Sequence, residues 1–176
     1  LYVAPSKGNY IDKINISDPL HSRIEKISLE PDQPINYGTS LNPHAIIFSP
    51  DESKYFVTCQ KSSELRILQT SNDSLLSVIP IGHSPAQMAI SNDQPYLFVS
   101  CMGSTDTLKK SSIYVIDYNT FSVVTYLYAG HESYGIAVDD ASGAGGANVG
   151  AGAGAIGGRP PPAAPGTLPP RAPGMI

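Results

Sequence analysis

The sequence predicts an all-β fold built from repeated, four-stranded antiparallel sheets. Three observations carry this expectation. The stretch "PHAIIFSPDESKYFVTC" (Pro43–Cys59) returns 42 residues later as "PAQMAISNDQPYLFVSC" (Pro85–Cys101). "LRILQTSNDSLLSVIPIGH" (Leu65–His83) aligns with "IYVIDYNTFSVVTYLYAGH" (Ile113–His131) at an offset of 48. No segment of useful length has the 3.6-residue period of an amphipathic helix, so helix content is expected to be near zero. Internal periods of roughly 40–50 residues mark propellers and arrays.

The elements follow in chain order. The chain opens on "LYVAP", which matches "YFVTC" and "LFVSC", the second strand of each later unit; "NYIDKINI" and "RIEKISL" then supply the third and fourth strands of a first unit, about residues 1–29. A connector, "EPDQPINYGTSLN", leads to the second unit, 43–81, with strands expected at Ala45–Phe48, Lys54–Cys59, Leu65–Gln69 and Leu75–Ile81. Each is rich in β-branched or aromatic residues and bounded by turn formers. Hairpin-length connections make neighbouring strands antiparallel. In "SPDES" and its copy "SNDQP", Pro50 presets φ for a turn, and Asp51 and Asp93 are expected to accept bonds from nearby backbone N–H groups rather than to act as catalytic acids. A third unit spans 85–129, and "YGIAV", 134–138, begins a fourth. Four antiparallel strands at this spacing make a β-propeller blade.

A Pro-containing loop, an apolar strand, Ser-Pro-Asp, "YFVTC" and an Ile-rich strand together resemble the YVTN family of β-propeller repeats, in the lactonase-like superfamily. In that family the second strand typically ends Tyr-Val-Thr-Asn. Cys59, Cys101 and Pro5 stand here where the Asn would be. The resemblance covers about residues 1–139 and is specific to the fold and the repeat class, because the scaffold serves many roles.

About three blades are present, whereas a propeller closes with roughly four to eight. Residues 1–140 are therefore expected to be part of a longer propeller of about six to eight blades. After "YGIAVDD" the composition breaks. Of the 36 residues from 141 to 176, 28 are Gly, Ala, Pro or Arg. Such a segment buries too little apolar surface to offset its chain entropy, so 141–176 is read as a disordered, low-complexity tail with no second strand for the fourth blade. The abrupt switch is read as a change of frame or a joined fragment, against a native flexible tail.

The chain of 176 residues carries a formal net charge of −4, and both charges of the tail are arginines, so residues 1–140 carry −6. No basic run tracks a phosphate backbone, which argues against nucleic acid as a partner. No apolar run approaches the length of a membrane span. In a four-stranded meander the end of the second strand, the start of the third, the end of the fourth and the start of the next blade share one end. That rule places His44, His83, His131, Cys59 and Cys101 on one loop-bearing face, with the histidines nearer the central axis. Tyr134, Lys109 and Lys110 belong to the same face, in "ESYG" and "CMGSTDTLKKSS". These six, His44, His83, His131, Tyr134, Lys109 and Lys110, are the candidate ligand-binding residues.

Imidazoles are borderline metal ligands, so His44, His83 and His131 are the candidates for any metal, but no C-x-x-C or H-E-x-x-H spacing accompanies them. No cofactor is expected. No nucleophile motif and no phosphate-binding Gly-rich loop stands in the chain, so no catalytic residue is assigned. The cysteines, on sheets about 10 Å apart, are expected to be packing residues rather than a disulfide. The expected role is a non-enzymatic binding or scaffold module for a protein, peptide, polysaccharide or small molecule. The resemblance implies export to the periplasm or cell surface. It also implies an alternative, a lactone hydrolase or a haem or copper oxidoreductase subunit.

Overall fold

A single-layered sheet has two faces, and alternation along each strand sends neighbouring side chains to opposite ones. That alternation dictates how the blades stack. The structure, a computed structural model, describes residues 1–38, 40–103, 110–130 and 132–140, together with the backbone of 146–148. The first sheet has three strands in the order β1 (Tyr2–Val3), β2 (Tyr10–Asn15) and β3 (Arg23–Ser28). The second has four, β4 (Pro43–Phe48), β5 (Lys54–Cys59), β6 (Glu64–Gln69) and β7 (Leu75–Pro80). The third repeats it with β8 (Pro85–Ile90), β9 (Tyr96–Cys101), β10 (Ser112–Asp117) and β11 (Ser122–Tyr128). Every pairing is antiparallel and sequential. The innermost strands β4 and β8 lie side by side, so the second and third sheets are neighbouring blades.

Two details depart from the sequence reading. A short 3-10 turn, Pro19–His21, sits between β2 and β3 and is capped by the Asp18 carboxylate, which accepts from Leu20 N–H at 3.0 Å. The fourth unit does have a second strand: β12 (Ala137–Asp139) pairs antiparallel with β13 (Gly146–Asn148), Val138 opposite Ala147. Ladder bonds are made by the backbone, so a Gly- and Ala-rich segment of poor β-propensity still forms them. The remainder of the expected tail, 141–145 and 149–176, lies outside the described residues.

Two cores form between the blades, and β5 feeds both. Tyr55, Val57 and Cys59 pack toward the first blade with Ile11, Ile27, Leu29, Leu41 and Leu68. Phe56 points the other way and joins Leu65, Ile67 and Ile79 against Met88, Leu97, Val99, Cys101 and Ile116 of the third. The two cysteines thus sit in separate cores, both free and fully buried.

Polar bonds register one blade on the next. Thr58 Oγ1 accepts from Ala45 N–H within its own blade and donates to the Ala86 carbonyl of the next, both at 3.0 Å. Its repeat equivalent, Ser100, accepts from Gln87 N–H at 3.1 Å and donates to the Tyr134 carbonyl at 2.7 Å. At the other end of the sheets, Asp73 receives Tyr2 and Tyr55 hydroxyls at 3.1 and 3.0 Å and the Lys13 ammonium at 2.7 Å, joining blades one and two. This ion pair raises the Lys13 pKa, and burial raises that of Tyr55. In the expected turn, Asp51 accepts from Ser49 Oγ at 2.6 Å and Ser53 N–H at 3.1 Å, and the Ser49 bond lowers its carboxyl to about 2. Asp93 does not repeat this. Asp140 of the fourth unit takes the place, accepting from Ser91 Oγ at 2.6 Å and Asn92 N–H at 2.9 Å.

Thr58→Val keeps the volume of the side chain but leaves Ala45 N–H and Ala86 C=O without their partner. The expected cost is about 1–3 kcal/mol, read as a lower midpoint of urea unfolding, and Ser100→Ala should do the same at the next contact. An unchanged midpoint in both variants would remove these hydroxyls from the account of blade docking.

Candidate functional site

The loop-bearing end of the blades holds the described sequence candidates, in two places. His44 is the second residue of β4, and Tyr134 lies just before β12. Both reach over the start of β8, the strand that neighbours β4 and β12 alike. The Tyr134 hydroxyl and His44 Nε2 are 3.0 Å apart, with the rings edge to face at 5.7 Å. Residues 90 apart in sequence thus meet across three innermost strands.

His83 lies elsewhere. It stands between β7 and β8 and lines a groove with residues of β10 and β11. Its Nδ1 is 2.7 Å from the Gly103 carbonyl, and Gly103 N–H donates back to the His83 carbonyl at 3.2 Å. Ser84 next to it has φ 54°, matched by Asn42 (52°) and Glu132 (53°) at the equivalent entry to the neighbouring units. A left-handed residue at each entry turns the chain from the outer strand of one blade to the inner strand of the next. Gly82 makes that approach close: a Cβ there would sit 2.7 Å from Ser112 Oγ, 2.8 Å from the Tyr114 ring and 2.9 Å from Cys101 Cβ. At Gly130 a Cβ would meet nothing within 4 Å, so the repeated glycine is sterically required only at the first of the two positions.

This closeness shapes a groove of about 420 Å³ between blades two and three, lined on one side by Ser63 and Ile81–His83, on the other by Lys110, Ser112, Tyr114, Tyr126 and Tyr128. Tyr114 and Tyr126 face each other in the β10–β11 register and stack, centroids 5.3 Å apart at 18°. Tyr128 meets Tyr126 edge-on, and the Lys110 ammonium lies 6.0 Å above the Tyr128 ring. Burial raises the Tyr114 phenol and hydrogen bonding with Tyr128 raises that of Tyr126, so both are protonated donors at neutral pH. Among the described residues no carboxylate lines the groove, and Glu64, next to Ser63, is bound to Arg66 at 3.0 Å. A larger cavity of about 640 Å³ lies at the opposite end of blade one, and none of the sequence candidates lines it.

Of the six candidates, then, His44 pairs with Tyr134, and His83 shares the groove with Lys110. His131 and Lys109 lie outside the described residues. Sequence reasoning missed the three tyrosines. Their signal was present in the two-residue spacing of Tyr126 and Tyr128, which puts both on one face of a strand. Among the described residues no three His, Cys, Asp or Glu side chains converge as metal ligands. Burial pushes both the Cys59 and Cys101 thiols up to about 12, well away from nucleophilic thiolates.

Comparison with solved structures finds propeller-like neighbours. Dihydro-heme d1 dehydrogenase NirN, in complex with DHE, superposes with a TM-score of 0.57 at 10% identity, covering 84% of this chain and 29% of that one. Hydrazine synthase of Kuenenia stuttgartiensis gives 0.51 at 21% identity, covering 58% and 28%. The fold is that of a β-propeller. Among curated proteins, Antigen Lp49 of Leptospira interrogans serogroup Icterohaemorrhagiae serovar copenhageni (strain Fiocruz L1-130) is 30% identical over 109 residues, 57% of this chain. The match spans 24% of that protein's length. No protein-family model matches the chain.

Two outcomes follow from the propeller packing at this end. Neither Cys59 nor Cys101 should react with an aromatic disulfide reagent in the native protein at mildly alkaline pH, and both should react at once in denaturant; rapid native labelling would refute their burial. Gly82→Ala should lose about 1–3 kcal/mol by overpacking, whereas Gly130→Ala should stay within about 0.5 kcal/mol, compared by thermal or urea unfolding.

Proposed function

We propose that this chain is a YVTN-like propeller module that binds its ligand rather than transforming it, at the end of the blades where β7 leads into β8. The observation that supports this reading most is the groove around His83 and Lys110. It is pinned by the His83–Gly103 contact and faced with hydrogen-bond donors and exposed tyrosines. Loops carried on a rigid scaffold commonly bind partners. The ligand is a protein, peptide, polysaccharide or small molecule. The family resemblance favours a location in the periplasm or at the cell surface, and no described helix is long and apolar enough to cross a membrane.

A propeller enzyme or redox subunit is the second reading. The observation in its favour is the His44–Tyr134 pair, an imidazole and a phenol at hydrogen-bond distance, which is the geometry a proton-transfer pair needs. Metal analysis, a visible absorption spectrum and a lactone-hydrolysis assay on the purified protein separate the two. The binding reading expects substoichiometric metal, no haem band and no turnover. Stoichiometric metal, a haem band or lactone turnover that disappears in His44→Ala or His83→Ala would overturn it.

A further inference from the structure

The groove between blades two and three identifies its ligand more narrowly by its chemistry. We propose that it binds an acidic oligosaccharide, with sugar rings lying on Tyr126 and Tyr128 and a sugar carboxylate meeting Lys110 and His83. The proposal rests on the reading of this end as a binding face and adds the ligand class and the residues that select it.

Four observations carry it. The first is the aromatic surface: Tyr126 is 49% exposed and Tyr128 65%, yet both are held by ring contacts to Tyr114 and to each other. Held, exposed aromatic rings offer large contact area at little entropic cost. A pyranose ring presents C–H groups on its faces and hydroxyls around its edge, so it can cover the ring and hydrogen-bond its rim together. The second is polarity: Lys110 makes no ion pair among the described residues, His83 keeps Nε2 beyond its Nδ1 contact, and the Tyr114 and Tyr126 phenols are protonated donors.

The third is the charge contrast. A donor-rich groove with no lining carboxylate among the described residues, on a chain of net charge −4, favours a ligand carrying isolated negative charges. A nucleic-acid backbone carries far denser charge, which needs a track of basic residues to neutralise it. The fourth is size: about 420 Å³ is within the range of small-ligand clefts, roughly 300–1,000 Å³. Both walls come from blades that already pack on each other, so the groove does not wait on other blades for its shape.

The test titrates the whole protein with oligogalacturonate and hyaluronan oligosaccharides, with maltooligosaccharide as the neutral sugar and oligothymidylate as the nucleic acid. Calorimetry is the main readout; the chain has ten Tyr and no Trp, so the part of any tyrosine-emission change that Tyr126→Phe removes reports the platform. An acidic sugar should bind at least tenfold more tightly than the neutral one. Tyr126→Ala should weaken it by about tenfold, whereas Tyr126→Phe should nearly retain it. Lys110→Gln should abolish the preference for acid and leave any neutral-sugar binding unchanged. Thermal unfolding of each variant checks that these exposed substitutions keep the fold. Failure of both acidic sugars to bind, equal binding of acidic and neutral sugars, indifference to both Tyr126→Ala and Lys110→Gln, or tighter binding of oligothymidylate would each overturn the proposal. None of these outcomes bears on the absence of metal or turnover, so the broader binding reading stands or falls on its own measurements.

Discussion

The contact between one blade and the next is the constraint on which the other features depend. A sheet one strand thick cannot bury its own faces. β5 shows the consequence most plainly, because it sends Tyr55, Val57 and Cys59 to one neighbour and Phe56 to the other, and all four are fully buried. Burying one such large side chain is worth about 1.5–3 kcal/mol. A hydrogen bond of the Thr58 or Ser100 kind contributes about 0.5–1.5 kcal/mol net. The apolar faces therefore supply most of the attraction between blades. The hydroxyls decide the registry, since an unpaired buried backbone group at the wrong register would cost more than the bond gives.

Registry in turn positions the loop-bearing end. Once Thr58 has fixed β5 against β8, the β7–β8 connection has little freedom. Ser84 supplies the left-handed turn, Gly82 lets the chain pass against Ser112 and Tyr114, and His83 closes onto Gly103. The opposite end is tied separately, by Asp73 between blades one and two and by Asp140 between blade three and the fourth unit. Blades two and three are thus pinned near both ends of their strands, by different residue types at each end.

This division explains what was legible in the sequence. Strand positions were readable because each strand and its turn are encoded locally; β5 spans Lys54–Cys59 as the text implied, and Pro43 extends β4 by two residues beyond the expected Ala45. The shared cysteine could be read as packing because it recurs without any metal-ligand spacing. Contacts between blades were harder to see. Thr58 and Ser100 stand in plain view as the repeated hydroxyl before each cysteine, yet their partners, Ala86 and Tyr134, lie 28 and 34 residues away. Asp93 misled for the same reason, since its turn is served by a carboxylate 49 residues on from Ser91. The contact of His83 with Gly103, 20 residues on, was equally invisible, because it depends on how the β7–β8 connection passes the neighbouring blade.

The same reasoning separates the two places where the candidate residues gather. His44 and Tyr134 meet over the innermost strands, where a propeller's blades converge, so the surroundings of that pair depend on every blade in the ring. The groove of His83, Lys110 and the tyrosines depends on two adjacent blades and the core between them. Its shape is fixed by contacts between those blades: Tyr114 packs against the core that holds Ile79 and Cys101, Ser112 and Cys101 crowd Gly82, and Tyr126 stacks on Tyr114. In a repeat fold, chemistry placed at an interblade groove can differ from one interface to the next. The equivalent of Tyr126 in blade two is Val78, and the equivalent of Tyr128 is Pro80, so the aromatic platform is a property of blade three and not of the repeat. A structural requirement would have recurred at the equivalent positions, as the Thr58–Ser100 hydroxyl did. A feature that appears in one blade only, on an exposed face, and is held in place by its neighbours is where selection for a ligand would leave its mark.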